Sequence, residues 1–190
     1  MAHLFTIDGL PVETGDLICT QDGGDSIVAG QFWRLIGKLI PGEVDHIVVY
    51  VGPAGRCVEA GARARVIEFD IGSGTWDAAR MMDQRLIDDR LVGVADPLQG
   101  RGFSRAEEER IRMAVADYCL AQAARNAPYN LNFFDSATEN GFYCSQLAYK
   151  AYLPHGVDLN SGKGVPDVPG TERIVFPQEV WESCTHRRPG

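Results

Sequence analysis

The sequence lacks any long apolar run. No stretch of its 190 residues approaches the roughly 18 consecutive apolar positions that a membrane span requires, so no membrane span is expected. Residues 1–16 also lack a basic segment followed by an apolar core, the pattern of a secretory signal peptide. We therefore expect a protein that is cytoplasmic as synthesised. Any secretion would follow a leaderless route.

Positive charge is also scarce. The chain has 18 Lys and Arg residues against 26 Asp and Glu residues, a formal net charge of −8. A nucleic-acid binder needs a basic surface for the phosphates, so no nucleic-acid partner is expected. Near the end of the chain, Arg187 and Arg188 are expected to form a solvated tail.

Paired cysteines are missing as well. The chain has five cysteines, an odd number, and none of them form a C-x-x-C motif, which argues against a disulfide framework or a zinc site. His155 and His186 each stand alone, without metal-ligand spacing. The sequence therefore predicts no metal and no cofactor. We expect four of the cysteines to be small buried apolar residues: Cys19, Cys57, Cys119 and Cys184.

The length suits a single domain over residues 1–190, and hydrophobic periodicity divides it into strands and helices. The β-branched run 45–52 and the segment 56–61 are separated by a short turn, which predicts an antiparallel hairpin. Further strands are predicted over 64–69 and 90–96. Helices are predicted over 26–40, over 104–125 (with a capping box of Ser104 and Glu107), from Cys144 onward, and over 177–184. The pattern predicts an α+β domain in which an antiparallel sheet packs against helices.

Two polar residues interrupt the predicted hairpin. His46 opens the first strand beside apolar neighbours, and Glu59 lies between Val58 and Ala60 on the second strand. A buried carboxylate needs a partner, and a carboxylate across from an imidazole can orient the ring and stabilise its charged form. The alternatives are that His46 is a structural residue and that Glu59 points to solvent on an alternating strand.

Cys144 differs from the other cysteines because it stands at the start of a predicted helix, in the stretch "GFYCSQLAYKAY". The unpaired N–H groups and the dipole at a helix N-terminus favour a thiolate, and a nearby imidazole can accept the thiol proton. Cysteine, histidine and carboxylate together fit the general scheme of an activated nucleophile. Taken by itself, Cys144 could equally be a core residue of this helix.

Four motifs in order carry a resemblance to a known family: "GDLI", "DHIVVYVG", "CVEAG" and "PYN" followed by "FYCSQLAYKAY". Together they resemble the circularly permuted papain-like amidases, the NlpC-related group sometimes called YiiX/YaeF-like. The resemblance covers about residues 15–155, with a divergent stretch at roughly 70–100. It implies a circularly permuted papain-like fold and a thiol protease or amidase activity.

The resemblance also implies roles for individual residues. Cys144 corresponds to the nucleophile, His46 to the general base and Glu59 to the orienting third member. Tyr129 of "PYN" matches a tyrosine that stands before the cysteine helix in the family. This match implies a role for Tyr129 near the oxyanion. Asp16 of "GDLI" matches too, although a turn-forming aspartate is the simpler interpretation. Many relatives have aspartate where this chain has an asparagine directly after Tyr129, which leaves that asparagine without a role.

Three functions remain open. The first is a hydrolase that cleaves an amide bond in a short peptide of the peptidoglycan type. Its use as a delivered bacterial effector would fit a chain without a leader and would require an immunity or delivery partner. The second is a lipid-directed thiol acyltransferase or lipase acting on a lipid amide. The permuted group includes lecithin:retinol acyltransferase-like proteins, although those carry a second histidine where this chain has Glu59. The third is an inactive binding module.

Overall fold

A six-stranded sheet, antiparallel throughout, forms the centre of the domain, with spatial strand order β6-β5-β4-β3-β7-β8. The computed structural model describes residues 1–22, 42–167 and 169–189. A separate hairpin is formed by β1 (Leu4–Ile7) and β2 (Leu10–Glu13). The sheet strands are β3 (Leu17–Asp22), β4 (His46–Tyr50), β5 (Arg56–Ala60), β6 (Val66–Asp70), β7 (Asp89–Asp96) and β8 (Thr185–Arg187). The helices are α1 (Ala78–Arg85), α2 (Arg105–Ala124), α3 (Cys144–Tyr152) and α4 (Pro177–Ser183), and a 3₁₀ turn at Leu153–His155 follows α3.

Both faces of the sheet are covered. Side chains alternate along β4, so Ile47 and Val49 face the core shared with α2, α3 and α4, whereas Val48 and Tyr50 face the hairpin and α1. This explains why the strand reads as an almost continuous apolar run. A strand with both faces buried has no solvent side on which polar residues would be favoured.

Helix α3 lies on the sheet face occupied by α2 and packs against β4 and β5. Its buried positions include Leu147, Ala148 and Ala151, the stripe expected from helical spacing. The hydroxyl of Tyr152 donates to the carbonyl of Gly15 at 2.6 Å. These contacts fix the helix, which begins at Cys144, against β4 and β5.

Most of the predicted elements are present. The coarse class, an α+β domain with an antiparallel sheet packed against helices, is confirmed, as are the strands near 45–52, 56–61, 64–69 and 90–96. The helix predicted over 104–125 is confirmed with its capping box of Ser104 and Glu107. The helix predicted over 26–40 lies outside the described residues.

The prediction of a solvated tail at Arg187 and Arg188 is wrong, whereas the helix predicted over 177–184 is present as α4. Arg187 is not part of a solvated tail, because residues 185–187 form strand β8 beside β7, and its guanidinium donates to Asp16 Oδ2 at 3.1 Å. Arg188 is half-exposed and pairs with the carboxylate of Glu43. A three-residue edge strand without an apolar side chain leaves no hydrophobic pattern from which a strand could be predicted.

No helix among the described residues is both long enough and apolar enough to cross a membrane.

Candidate active site

The hairpin of β4 and β5 brings His46 and Glu59 together. Its register pairs Val49 with Val58 and Tyr50 with Cys57, so His46 and Glu59 lie diagonally on one face towards the open end of the hairpin. His46 Nε2 and Glu59 Oε2 are 2.7 Å apart. The predicted contact is therefore present. Glu59 is fully buried, which excludes the alternative that it points to solvent.

Cys144 completes the contact from the helical side. It is the first residue of α3, after Tyr143 in an extended conformation, and its sulfur lies close enough to the imidazole of His46 to raise the pKa of that ring. Because His46 Nε2 is engaged by Glu59, Nδ1 is the ring nitrogen left to exchange a proton with the thiol. The side chain of His46 is 13% exposed, so the pair lies just beneath the surface.

Behind Glu59 lies a buried ion cluster that the sequence did not reveal. Arg85, the last residue of α1, donates from Nε and Nη2 to Glu59 Oε2 at 2.9 and 2.7 Å. Nη1 and Nη2 of the same guanidinium donate to the two carboxylate oxygens of Asp89, both at 2.9 Å. Asp89 also accepts from the Thr20 hydroxyl at 2.7 Å and from the Trp76 indole N–H at 3.1 Å. The cluster therefore joins α1, β3, β5 and β7 behind the imidazole.

These neighbours determine the charge state of the site. Burial alone would raise the pKa of Glu59, but the Arg85 guanidinium and the His46 imidazole outweigh it and lower the pKa from 4.5 to about 2. Burial would likewise lower the pKa of His46, but the Cys144 sulfur and the Glu59 carboxylate raise it to about 10. Charge partners thus favour an ionised Glu59 beside a protonated His46.

Tyr129 lies beside this cluster. Burial raises its pKa well above the ordinary value, and the proximity of Cys144 adds to the effect. The segment that carries Tyr129 is held on both sides, since Tyr129 N–H donates to the carbonyl of Ala64 at 2.9 Å and Phe142 N–H donates to the carbonyl of Pro128 at 3.0 Å. The structure therefore brings Tyr129 to the site on a backbone segment fixed between β6 and the start of α3.

The asparagine that follows Tyr129 now has a structural role. Asn130 Nδ2 donates at 3.0 Å both to the carbonyl of Asp135 and to Oε1 of Gln146, a fully buried residue in the first turn of α3. Gln146 Oε1 also accepts from the N–H of Tyr143 at 3.2 Å. The pair Asn130–Gln146 thus ties the loop 130–141 to the helix that begins with Cys144.

Asp16 belongs to a different cluster. Its carboxylate accepts from Arg112 Nη1 at 2.6 Å, from Arg187 Nη2 at 3.1 Å and from the N–H of Glu13 at 2.9 Å. Burial raises the pKa of Asp16 to about 6, although Arg112 opposes this. These contacts join the hairpin, α2 and β8, so the structure supports the structural interpretation of Asp16 as a turn residue.

The other four cysteines lie in settings unlike that of Cys144. All five are free and buried. Burial raises the pKa of each of the other four thiols, to about 11 for Cys184 and further for Cys19, Cys57 and Cys119. No group of three or more His, Cys, Asp or Glu side chains among the described residues is placed to hold a metal ion.

Comparisons of the chain with protein-family models, with curated proteins and with solved structures gave no match.

Proposed function

We propose that the protein is a cysteine hydrolase that cleaves an amide bond through an acyl-enzyme on Cys144. The observation that carries this proposal is one imidazole, that of His46, in contact with both a thiol at a helix N-terminus and a buried carboxylate. A nucleophile, a base and an orienting group within hydrogen-bond reach of one another are the recurring signature of nucleophilic catalysis.

The proposed reaction has two steps. His46 takes the thiol proton of Cys144, the sulfur attacks the carbonyl carbon, and the resulting tetrahedral intermediate breaks its C–N bond as the imidazolium gives that proton to the departing amine. Water then attacks the thioester while the neutral His46 takes a proton from it. The C–S bond breaks, the acid is released, and His46 returns the proton to the Cys144 sulfur. Glu59 keeps the imidazole oriented and stabilises its charged form throughout.

Developing negative charge on the carbonyl oxygen would be stabilised by donors near the sulfur. The first N–H groups of α3 have no partner within the helix, and they point towards the end that carries Cys144. Tyr129, held beside Cys144, is the proposed side-chain contributor.

The chain order His46, Glu59, Cys144 on β4, β5 and α3 supports a circularly permuted papain-like fold. On that basis the proposed substrate is a short peptide of the peptidoglycan type. Cleavage of such a peptide is an activity that would suit a delivered bacterial effector. An immunity or delivery partner belongs to the same proposal.

One observation favours a lipid-directed thiol acyltransferase or lipase as the second candidate. Leu131 and Phe134 are 63% and 58% exposed on the loop between Tyr129 and Cys144. Large apolar side chains exposed beside a site are a feature of surfaces that contact apolar ligands. A lipid substrate would use them, whereas a short polar peptide would not.

Alkylation followed by peptide mapping tests the nucleophile. We expect mild iodoacetamide treatment of the folded protein to label Cys144 before Cys19 or Cys184. Preferential labelling of either of those two would contradict an activated thiol at position 144.

Incubation with purified peptidoglycan fragments and, in parallel, with a panel of acylated lipids separates the two substrate classes. Release of a new amine from a peptide fragment supports the amidase, and release or transfer of an acyl chain supports the second candidate. Binding without turnover of either panel would support the inactive binding module.

A further inference from the structure

Arg85 is the most unusual residue near the site, because it is a fully buried arginine placed between two carboxylates. Its guanidinium lies 4.8 Å from the ring centroid of Phe69 and 4.9 Å from that of Trp76, so it is enclosed by aromatic faces as well as by charges. Such burial is unfavourable for a cation unless its donors are used. Here four of its N–H···O contacts go to Glu59 and Asp89.

The contacts are unevenly shared between the two oxygens of Glu59. Oε2 accepts from His46 and twice from Arg85, whereas Oε1 has no hydrogen-bond partner within the described part of the chain. Oε1 lies towards Gly61: a Cβ added at Gly61 would lie 2.9 Å from Oε1. The carboxylate is therefore fixed in one orientation, with the same oxygen facing both the imidazole and the guanidinium.

The charges of the cluster balance. The Glu59 and Asp89 carboxylates carry two negative charges and Arg85 carries one positive charge, which leaves one negative charge facing the imidazole. That remaining charge matches a protonated His46. The charged and titratable groups that act on Glu59 come from the elements packed around it: His46 on β4, Cys57 on β5, Arg85 on α1 and Tyr129 in the loop before α3. Asp89 on β7 acts on Arg85.

We propose that Arg85 is a positioning residue for the reaction: it keeps Glu59 ionised and holds Oε2 towards His46. The inference rests on the proposed function, because it assigns Arg85 a part in the chemistry of Cys144. Without Arg85, burial would favour the neutral carboxylic acid, and a neutral Glu59 cannot stabilise an imidazolium by charge. Asp89, with Thr20 and Trp76, in turn fixes the guanidinium.

Three variants test the proposal. Arg85→Lys keeps the charge but not the planar fork that reaches both carboxylates. The pair Arg85→Met with Asp89→Asn removes one charge of each sign, so the net charge of the cluster is unchanged and a folded protein is expected even where the single change unfolds it. Arg80→Met is the matched control, because Arg80 lies on the same helix but pairs with Asp70 at the surface.

The readout is the titration of Glu59 itself, measured by carbon NMR of the glutamate carboxyl groups and assigned by the signal missing in Glu59→Gln. In the parent protein and in Arg80→Met we expect no titration of Glu59 between about pH 4 and about pH 7. In Arg85→Met/Asp89→Asn we expect the midpoint to rise above the ordinary value of 4.5, and in Arg85→Lys to rise by a smaller amount.

A purely structural role for Arg85 would lower thermal stability and leave this titration where it was. A Glu59 midpoint in the double variant within about half a pH unit of the parent would therefore overturn the proposal. The readout needs no substrate. If the parent protein turns over neither substrate panel, the proposed function fails while the Glu59 titration still reports on Arg85.

Discussion

Replacing Glu59 by glutamine tests how strongly the buried charge cluster stabilises the fold. The change keeps the size of the side chain and removes its charge. In the folded protein the pKa of Glu59 is lowered from 4.5 to about 2, against burial, by Arg85 and His46. At about 1.4 kcal/mol per pH unit, this difference corresponds to a stabilisation on the order of 3 kcal/mol at neutral pH.

The sign of this effect fixes its pH dependence. A carboxyl group with a lowered pKa in the folded state stabilises fully above its unfolded pKa, and that stabilisation is lost as the pH falls through the folded pKa. The parent protein should therefore be more stable than Glu59→Gln by about 3 kcal/mol at neutral pH. The difference should begin to shrink below about pH 4.5 and disappear near pH 2.

Urea unfolding followed by tryptophan fluorescence at a series of pH values measures the difference. Glu68→Gln is the matched control, because Glu68 lies on the neighbouring strand β6 and pairs with Arg56 at 2.7 Å with both side chains about 40% exposed. Such a surface pair is worth about 0–1 kcal/mol. A stability difference for Glu59→Gln that does not change with pH, or that is no larger than the control, would refute the reasoning.

Three further changes have defined outcomes. Arg112→Met leaves Asp16 buried without its closest cation and should lower the free energy of unfolding by about 3–5 kcal/mol in a denaturant titration; a loss below about 1 kcal/mol would show that the pair is unimportant. Gly61→Ala crowds Glu59 Oε1 and should lower kcat by about ten- to a hundredfold with little loss of thermal stability, whereas an unchanged kcat would contradict a fixed carboxylate. Because the pKa of His46 is raised in the folded state, the free energy of unfolding of the parent protein should fall as the pH rises from about 6.5 through about 10. Urea titrations of His46→Gln should show no such fall.

Much of the candidate site could be predicted because its signals are local. The β-branched run of β4, its short turn and the polar residues at either end fix which side chains face each other across a hairpin. The same holds for Cys144, whose place at the start of α3 follows from the helical spacing of Leu147, Ala148 and Ala151. The contact of His46 with Glu59 is a consequence of this local geometry.

Arg85 could not be predicted in the same way. A buried carboxylate requires a cation, so Glu59 indicated that a partner exists, but Arg85 is 26 positions further along the chain. Its helix carries a polar sequence, "AARMMDQR", that is typical of a solvent-exposed segment. Only the packing of α1 against β7 brings the guanidinium under the sheet, and no local pattern encodes that packing.

The role of the loop 130–141 could not be predicted from the sequence for a related reason. Its aromatic and polar composition suggests an irregular segment, and no regular element is present there. Its order comes from Gln146, whose side chain reaches back from α3 to accept from Asn130 and Tyr143 and to donate to the carbonyls of Asp135 and Thr138 at 3.3 Å. An amide at a helical position gives no sign of such contacts in the sequence.

Turnover by Cys144→Ala, compared with Cys119→Ala, is the most direct test of the central claim. Both thiols are buried, but Cys119 lies in the middle of α2 and Cys144 at the start of α3 beside His46. On purified peptidoglycan fragments, we predict that Cys144→Ala loses all amide cleavage while its thermal unfolding stays close to that of the parent. We predict that Cys119→Ala keeps the parent rate. Amide cleavage by a folded Cys144→Ala protein at the parent rate would contradict the assignment of Cys144 as the nucleophile.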